Sequence, residues 1–296
     1  MKLQDGYTLM HEHTTVDLSK IKNDPDAHLN AFENTVQEFK KLYGLGVRNI
    51  LDVTAIGMGR NVAYTEKVAE LTGIHIIHST GFYKEPFLPD FVYSKSIEEL
   101  ADLMLKEIHE GIEGTQVQAG CIGEIGTSFN EMTKMEKKVF DAVILGSKQC
   151  DVMISTHTTL GTYALEQARY LVDNGVKPGR IVIGHMDLSP NLNTIKSVLE
   201  TGVYVAFDTI GKDTYFPDES RAEFLLEPET LGYLNQVVLS VDITRKLHLE
   251  KNGGAGYAHL FTKFLPRLKE KGLQETSIIQ MLVENPNKLL SGKWKK

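Results

Sequence analysis

The sequence predicts an α/β chain folded as a single (β/α)8 TIM barrel, and three observations carry that expectation. Short β-branched runs recur eight times along the chain. A helical pattern follows each of them, and regular strand–helix alternation implies a parallel sheet. No G-x-G-x-x-G or Walker pattern follows an early strand, which leaves the runner-up, an open doubly wound sheet, without its phosphate turn. The 296 residues fit one barrel domain spanning 1–296, with no linker, low-complexity tract or internal repeat beyond the alternation itself.

The first strand is the stretch Tyr7-Thr8-Leu9-Met10-His11-Glu12-His13. A polar loop with Asn23-Asp24-Pro25-Asp26 leads into a helical pattern from about Ala27 to Tyr43, stopped by Gly44 and Gly46. Val47 to Thr54 reads as the second strand and Ala63 to Leu71 as part of the next helix. Ile74 to Thr80 is the third strand, and Ser96 with Glu99 forms a capping box for a helix reaching His109. Gln118 to Thr127 is the fourth strand, with Thr133 ahead of its helix. Val152 to Thr158 is the fifth, its helix ending at Asn174-Gly175. Ile181 to Asp187, Tyr204 to Ile210 and Val237 to Thr244 complete the eight, and two short helices close the chain.

Composition narrows the function. With 42% hydrophobic and 24% charged residues the chain is ordinarily globular, and its net charge of −7 with scattered Lys and Arg predicts neither a nucleic-acid nor a membrane partner. Cys121 and Cys150 are too few for a disulfide framework. The start of the chain lacks the basic-then-apolar order of a signal peptide, so a cytoplasmic location is expected.

The strand ends carry the chemistry. His11 and His13 end the first strand, where residues two apart share a face and Glu12 points away. Glu124 lies at the end of the fourth strand, His157 of the fifth, His185 of the sixth and Asp242 of the eighth. In a barrel those ends converge on one face, where active sites lie. Four histidines and two carboxylates exceed the three protein ligands of one catalytic zinc. They fit two divalent ions, zinc foremost with manganese, cobalt or iron as alternatives, bridged by Glu124. Asp242 is expected to be both a metal ligand and the proton shuttle.

His11-Glu12-His13, Ser155-Thr156-His157-Thr158, Ile183-Gly184-His185-Met186-Asp187 and Ser240-Val241-Asp242-Ile243-Thr244 resemble the signature strands of the phosphotriesterase family in the amidohydrolase superfamily. The likeness extends to the closing Glu284-Asn285-Pro286. The resemblance implies a distorted barrel, a binuclear metal centre, a homodimer, and hydrolysis of phosphotriesters or, more often, lactones by a hydroxide held between the ions. It assigns His11, His13 and Asp242 to the more buried ion and His157 and His185 to the more exposed one. Most of that family bridges the ions with a carboxylated lysine. Glu124, within Gly123-Glu124-Ile125-Gly126, stands at the matching place, as in the phosphotriesterase homology protein subgroup. A glutamate is shorter, so either the ions sit deeper or the fourth strand moves inward, and metal binding should not depend on bicarbonate.

Loop residues should choose the substrate. Lys212, Arg221 and Arg245 suggest a small anionic molecule, since Arg grips such groups bidentately. The resemblance gives Tyr83 a hydrogen bond to a lactone oxygen. His75, His78, Asp52 and Asp208 read as structural. The expected function is hydrolysis of an ester-like bond, with a lactone, phosphorylated or not, first, a phosphoester second, and a non-catalytic binding or regulatory protein as the rival from another class.

Overall fold

The computed structural model describes residues 2–189 and 191–292. Eight parallel strands run in chain order around one sheet: β1 (Tyr7–Glu12), β2 (Val47–Asp52), β3 (His75–Thr80), β4 (Cys121–Thr127), β5 (Met153–Thr158), β6 (Ile181–Ile183), β7 (Tyr204–Phe207) and β8 (Val237–Leu239). The longer helices between them are α1 (Phe32–Gly44), α2 (Val62–Thr72), α3 (Ile97–His109), α4 (Lys134–Ser147), α5 (Ala164–Asp173), α6 (Leu192–Leu199) and α7 (Asp218–Thr230). Helical stretches over 260–270 and 275–290 close the chain. The (β/α)8 barrel is therefore present.

Alternation along the strands builds two apolar layers. Met10, Leu51, Ile77, Met153, Val182 and Val238 fill the barrel interior, and Leu289 and Leu290 pack against them. Leu9, Ile50, Ile76, Ile154, Ile183 and Leu239 face the helices. The capping boxes Ser96–Glu99 and Thr133–Glu136 both form. Cys121 and Cys150 are buried and unpaired.

Two strands depart from simple alternation. The β1–β2 ladder slips by one residue between Leu9 and Glu12, and the β4–β5 ladder slips between Ile122 and Ile125. The extra residue turns the next side chain inward. Consecutive Met10 and His11 thus both face the interior, and so does Glu124 although Ile122 faces the helices.

Several expected boundaries need correction. The first helix does not begin at Ala27: residues 25–27 form a single 3-10 turn, and His28–Leu29 pairs with Val16–Asp17 as a small antiparallel ribbon. The strands expected to reach Asp187 and Thr244 stop at Ile183 and Leu239. Gly184 N–H and Ser240 N–H still donate to Thr156 O and Phe207 O, and beyond them carboxylates take over: His185 N–H donates to Asp208 Oδ1 (2.9 Å), Val241 N–H to Glu12 Oε1 (2.8 Å) and Ile243 N–H to Glu12 Oε2 (3.2 Å). Both His185 and Asp242 then take left-handed backbone, with φ of 58° and 55°.

Among the described residues no ladder joins β8 to β1. Glu12 closes that seam. Its Oε1 also accepts from Ser240 Oγ (2.8 Å), and Ser240 Oγ accepts from His11 N–H (3.0 Å).

Candidate metal centre

The six expected ligands meet at the C-terminal end of the barrel. Glu124 is the hub: Oε1 lies 3.5 Å from His13 Nε2, while Oε2 lies 3.5 Å from His11 Nε2, 3.3 Å from His157 Nδ1 and 3.8 Å from His185 Nε2. Asp242 Oδ1 stands 3.4 Å from His13 Nε2 and 3.8 Å from His11 Nε2. Two candidate ligand groups share this carboxylate, His11–His13–Glu124 and Glu124–His157–His185, each with donor atoms within 4.8 Å of one another, and His11, His185 and Asp208 make a third such set.

Glu124 reaches this place because β4 is drawn inward. Its backbone N–H donates to Val53 O (3.0 Å), just past β2, although β3 is the neighbouring strand. Gly123 makes the approach possible: its φ is +136°, and a Cβ there would lie 2.2 Å from Ser155 O. Of the two arrangements a shorter glutamate allows, deeper ions or an inward fourth strand, the Glu124–Val53 contact accords with the second.

The donors fit divalent cations. His11 Nε2, His13 Nε2 and Glu124 Oε2 are buried without a hydrogen-bond partner among the described residues. Buried polar atoms are rarely left unpaired, and each costs about 1–3 kcal/mol. The nitrogen–carboxylate separations of 3.5 Å are too long for hydrogen bonds, and ions between these atoms would satisfy both sides.

Electrostatics hold the set ready. Burial opposes ionisation of Glu124, but the facing imidazoles, His11 first, keep it well below the usual carboxylate range. Asp242 is likewise held ionised against burial, chiefly by Lys212, whose ammonium is hydrogen-bonded to Asp242 Oδ2. Burial and the neighbouring His185 push His157 down to about 4, leaving it neutral.

The histidines are braced from behind, as ligating imidazoles commonly are. His13 Nδ1 pairs with Thr54 Oγ1 at 2.8 Å. Asp208 contacts two of them, with Oδ1 2.8 Å from His185 Nδ1 and Oδ2 3.1 Å from His11 Nδ1. Asp208 was expected to be merely structural; it orients one imidazole from each ligand group. Its strand-end position was the available signal. Asp52 does keep a structural role, accepting the amides of Thr14 and Thr54 behind His13. His75 and His78 stay outside the centre, His78 pairing with Glu66 at 2.8 Å.

Above the ligands opens a cavity of about 260 Å³, whose lining includes Tyr83, Lys84, Phe87, His157, Lys212 and Asp242. The Tyr83 hydroxyl lies 3.2 Å from both ring nitrogens of His157. Burial raises its pKa well above the ordinary phenol value, so it remains a donor. Lys212 lines the cavity, yet its ammonium is engaged by Asp242. Two expected substrate contacts are corrected. Arg221 is fully buried and binds Asp187, Asp218 and Thr209 beneath the mouth. Arg245 is committed to Asp24 and Asp26, so it braces the loop after β1. Lys22, from that same loop, lines the cavity and was not singled out by the sequence.

Comparison with known proteins agrees with this geometry. The phosphotriesterase homology protein of Escherichia coli is 45% identical over 282 residues, covering 95% of this chain and 97% of that protein. Its crystal structure, complexed with phosphate in the active site, matches with a TM-score of 0.95 at 44% identity, covering 96% of this chain and 98% of that one. An aryldialkylphosphatase of Saccharolobus solfataricus is 34% identical over 97% of this chain and 95% of its own length. A lactonase of Listeria monocytogenes matches with a TM-score of 0.91 at 27% identity, covering 98% of this chain and 95% of that one. The phosphotriesterase family model matches residues 2–290, and with the shared barrel and the convergent His–Glu–Asp set the chain belongs to that family.

Proposed function

We propose that this chain is a binuclear metal-dependent hydrolase of an ester-like bond in a small anionic molecule, with a lactone as the favoured class. The observation that carries the reading is the convergence of His11, His13, Glu124, His157, His185 and Asp242 beneath one small cavity. His11, His13 and Asp242 would hold one ion, His157 and His185 the other, and Glu124 both. When bound, the ions supply Lewis acidity and a hydroxide nucleophile near neutral pH.

The chain's own residues do the rest. Tyr83 presents its O–H at the edge of the His157 ring, where it can donate to the carbonyl or ring oxygen of a lactone and fix its face. Asp242 is ionised, so its Oδ1 can take the proton released on attack and pass it to the departing alkoxide. Lys212 keeps Oδ2 occupied and thereby aims Oδ1 at the histidines. The second reading, phosphoester hydrolysis, is favoured by the likeness to an aryldialkylphosphatase.

The test is hydrolysis of sugar lactones and phosphoesters by zinc- or manganese-loaded protein, with Asp242→Asn as control and metal content measured in parallel. The expected result is lactone turnover that falls about 10²- to 10⁴-fold in the variant. Turnover confined to phosphoesters would select the second reading. Silence on both, with two ions bound, would make the chain a binding protein.

A further inference from the structure

Three lysines line the cavity, and one of them is already neutralised, as is Arg245 outside that lining. Lys212 is paired with Asp242, and Arg245 with Asp24 and Asp26. Lys22 and Lys84 differ: among the described residues neither has a carboxylate within ion-pair distance, and both line the cavity. Their ammoniums each stand 5.8 Å from the centre of the Phe87 ring, so they are no more than twice that distance apart. Lys84 is half-buried, and burial lowers its pKa, a cost that a bound anion would offset. Its own polar contact is a donation to the neighbouring Glu85 O at 3.0 Å.

We infer that Lys22 and Lys84 form a clamp across Phe87 for a phosphate-like dianion carried by the substrate at the end remote from the bond that is cut. The placement gives the polarity of binding. Lys84 follows Tyr83 directly, and Tyr83 touches the metal ligand His157, so the dianion sits on the Tyr83 side of the cavity. Leu18, Met58 and Leu160 supply apolar wall for the carbon skeleton between the two ends. This inference rests on the hydrolase reading only for the word substrate; the clamp itself is a binding site.

The experiment separates the two. Zinc-loaded protein is titrated calorimetrically with ribitol 5-phosphate and with ribitol, using wild type, Lys22→Met, Lys84→Met and Lys84→Arg. The phosphorylated polyol should bind at least tenfold tighter than ribitol to the wild type. Each Met variant should weaken it by about tenfold to a hundredfold, the range for charged hydrogen bonds, and Lys84→Arg should retain most of the affinity. Unchanged affinity in both Met variants would place the phosphate elsewhere and overturn the clamp. In parallel, a pentonolactone and its 5-phosphate are compared as substrates. A preference for the phosphate that collapses through KM in the Met variants supports both ideas. Lysine-dependent binding without any lactone turnover keeps the clamp and removes the lactone reading.

Discussion

In the metal-free chain His13 is fully buried beside Glu124 and Asp242, and those carboxylates outweigh the burial that would discharge it, raising its pKa to about 9. That shift stabilises the metal-free fold below the ordinary histidine value of 6.5, and the gain is lost as the pH rises through about 9. A metal ligand must be neutral imidazole, so an ion arriving at pH 7 has to displace the proton. Calorimetric titration in buffers of different ionisation enthalpy should show proton release at pH 7, and apparent affinity should climb from pH 7 to 9 and then flatten. No proton release at pH 7 would count against His13 as a ligand. At this scale the candidate ligands are legible, because imidazoles and carboxylates at successive strand ends have few other reasons to coincide. The bracing by Asp208 is not legible because an aspartate at a strand end resembles any loop cap, and Glu12 does face away from the site, with nothing in the sequence to name its partners. Lys22 ends a single helical turn, Ser19–Lys22, too short to show a periodicity that would place it.

The strands explain how two of those ligands arrive. Slips in β1 and β4 turn His11 and Glu124 inward, and the displaced β4 carries the short glutamate to where both histidine pairs can reach it. A two-residue period cannot reveal a slip, although the glycines around Glu124 signalled close approach. The sixth and eighth strands end earlier than their β-branched patterns suggest because side-chain carboxylates capture the amides from His185 and Val241 onward. The geometry of β4 has a chemical consequence. Glu124 already brings two oxygens to the histidines without modification, so apo-protein should recover equal metal content and activity with or without bicarbonate. A strong bicarbonate requirement would show that the bridge is not Glu124.

At the scale of the whole molecule, the barrel is a sheet whose two edges are fastened by Glu12. Replacing it with Gln puts an amide against donors from the Ser240–Ile243 segment and should cost about 1–3 kcal/mol, read as a lower denaturant midpoint with the slope unchanged. Because Asp242 lies between the amides that Glu12 holds, the variant should also bind metal more weakly. Full metal affinity in a destabilised variant would confine Glu12 to fold stability. The seam also imposes an order on synthesis. The partners of a residue near the start of the chain are made more than two hundred positions later. Until Ser240 leaves the ribosome, β1 is an unmatched sheet edge and Glu12 has none of its donors, so the nascent chain carries a sticky margin through most of its elongation.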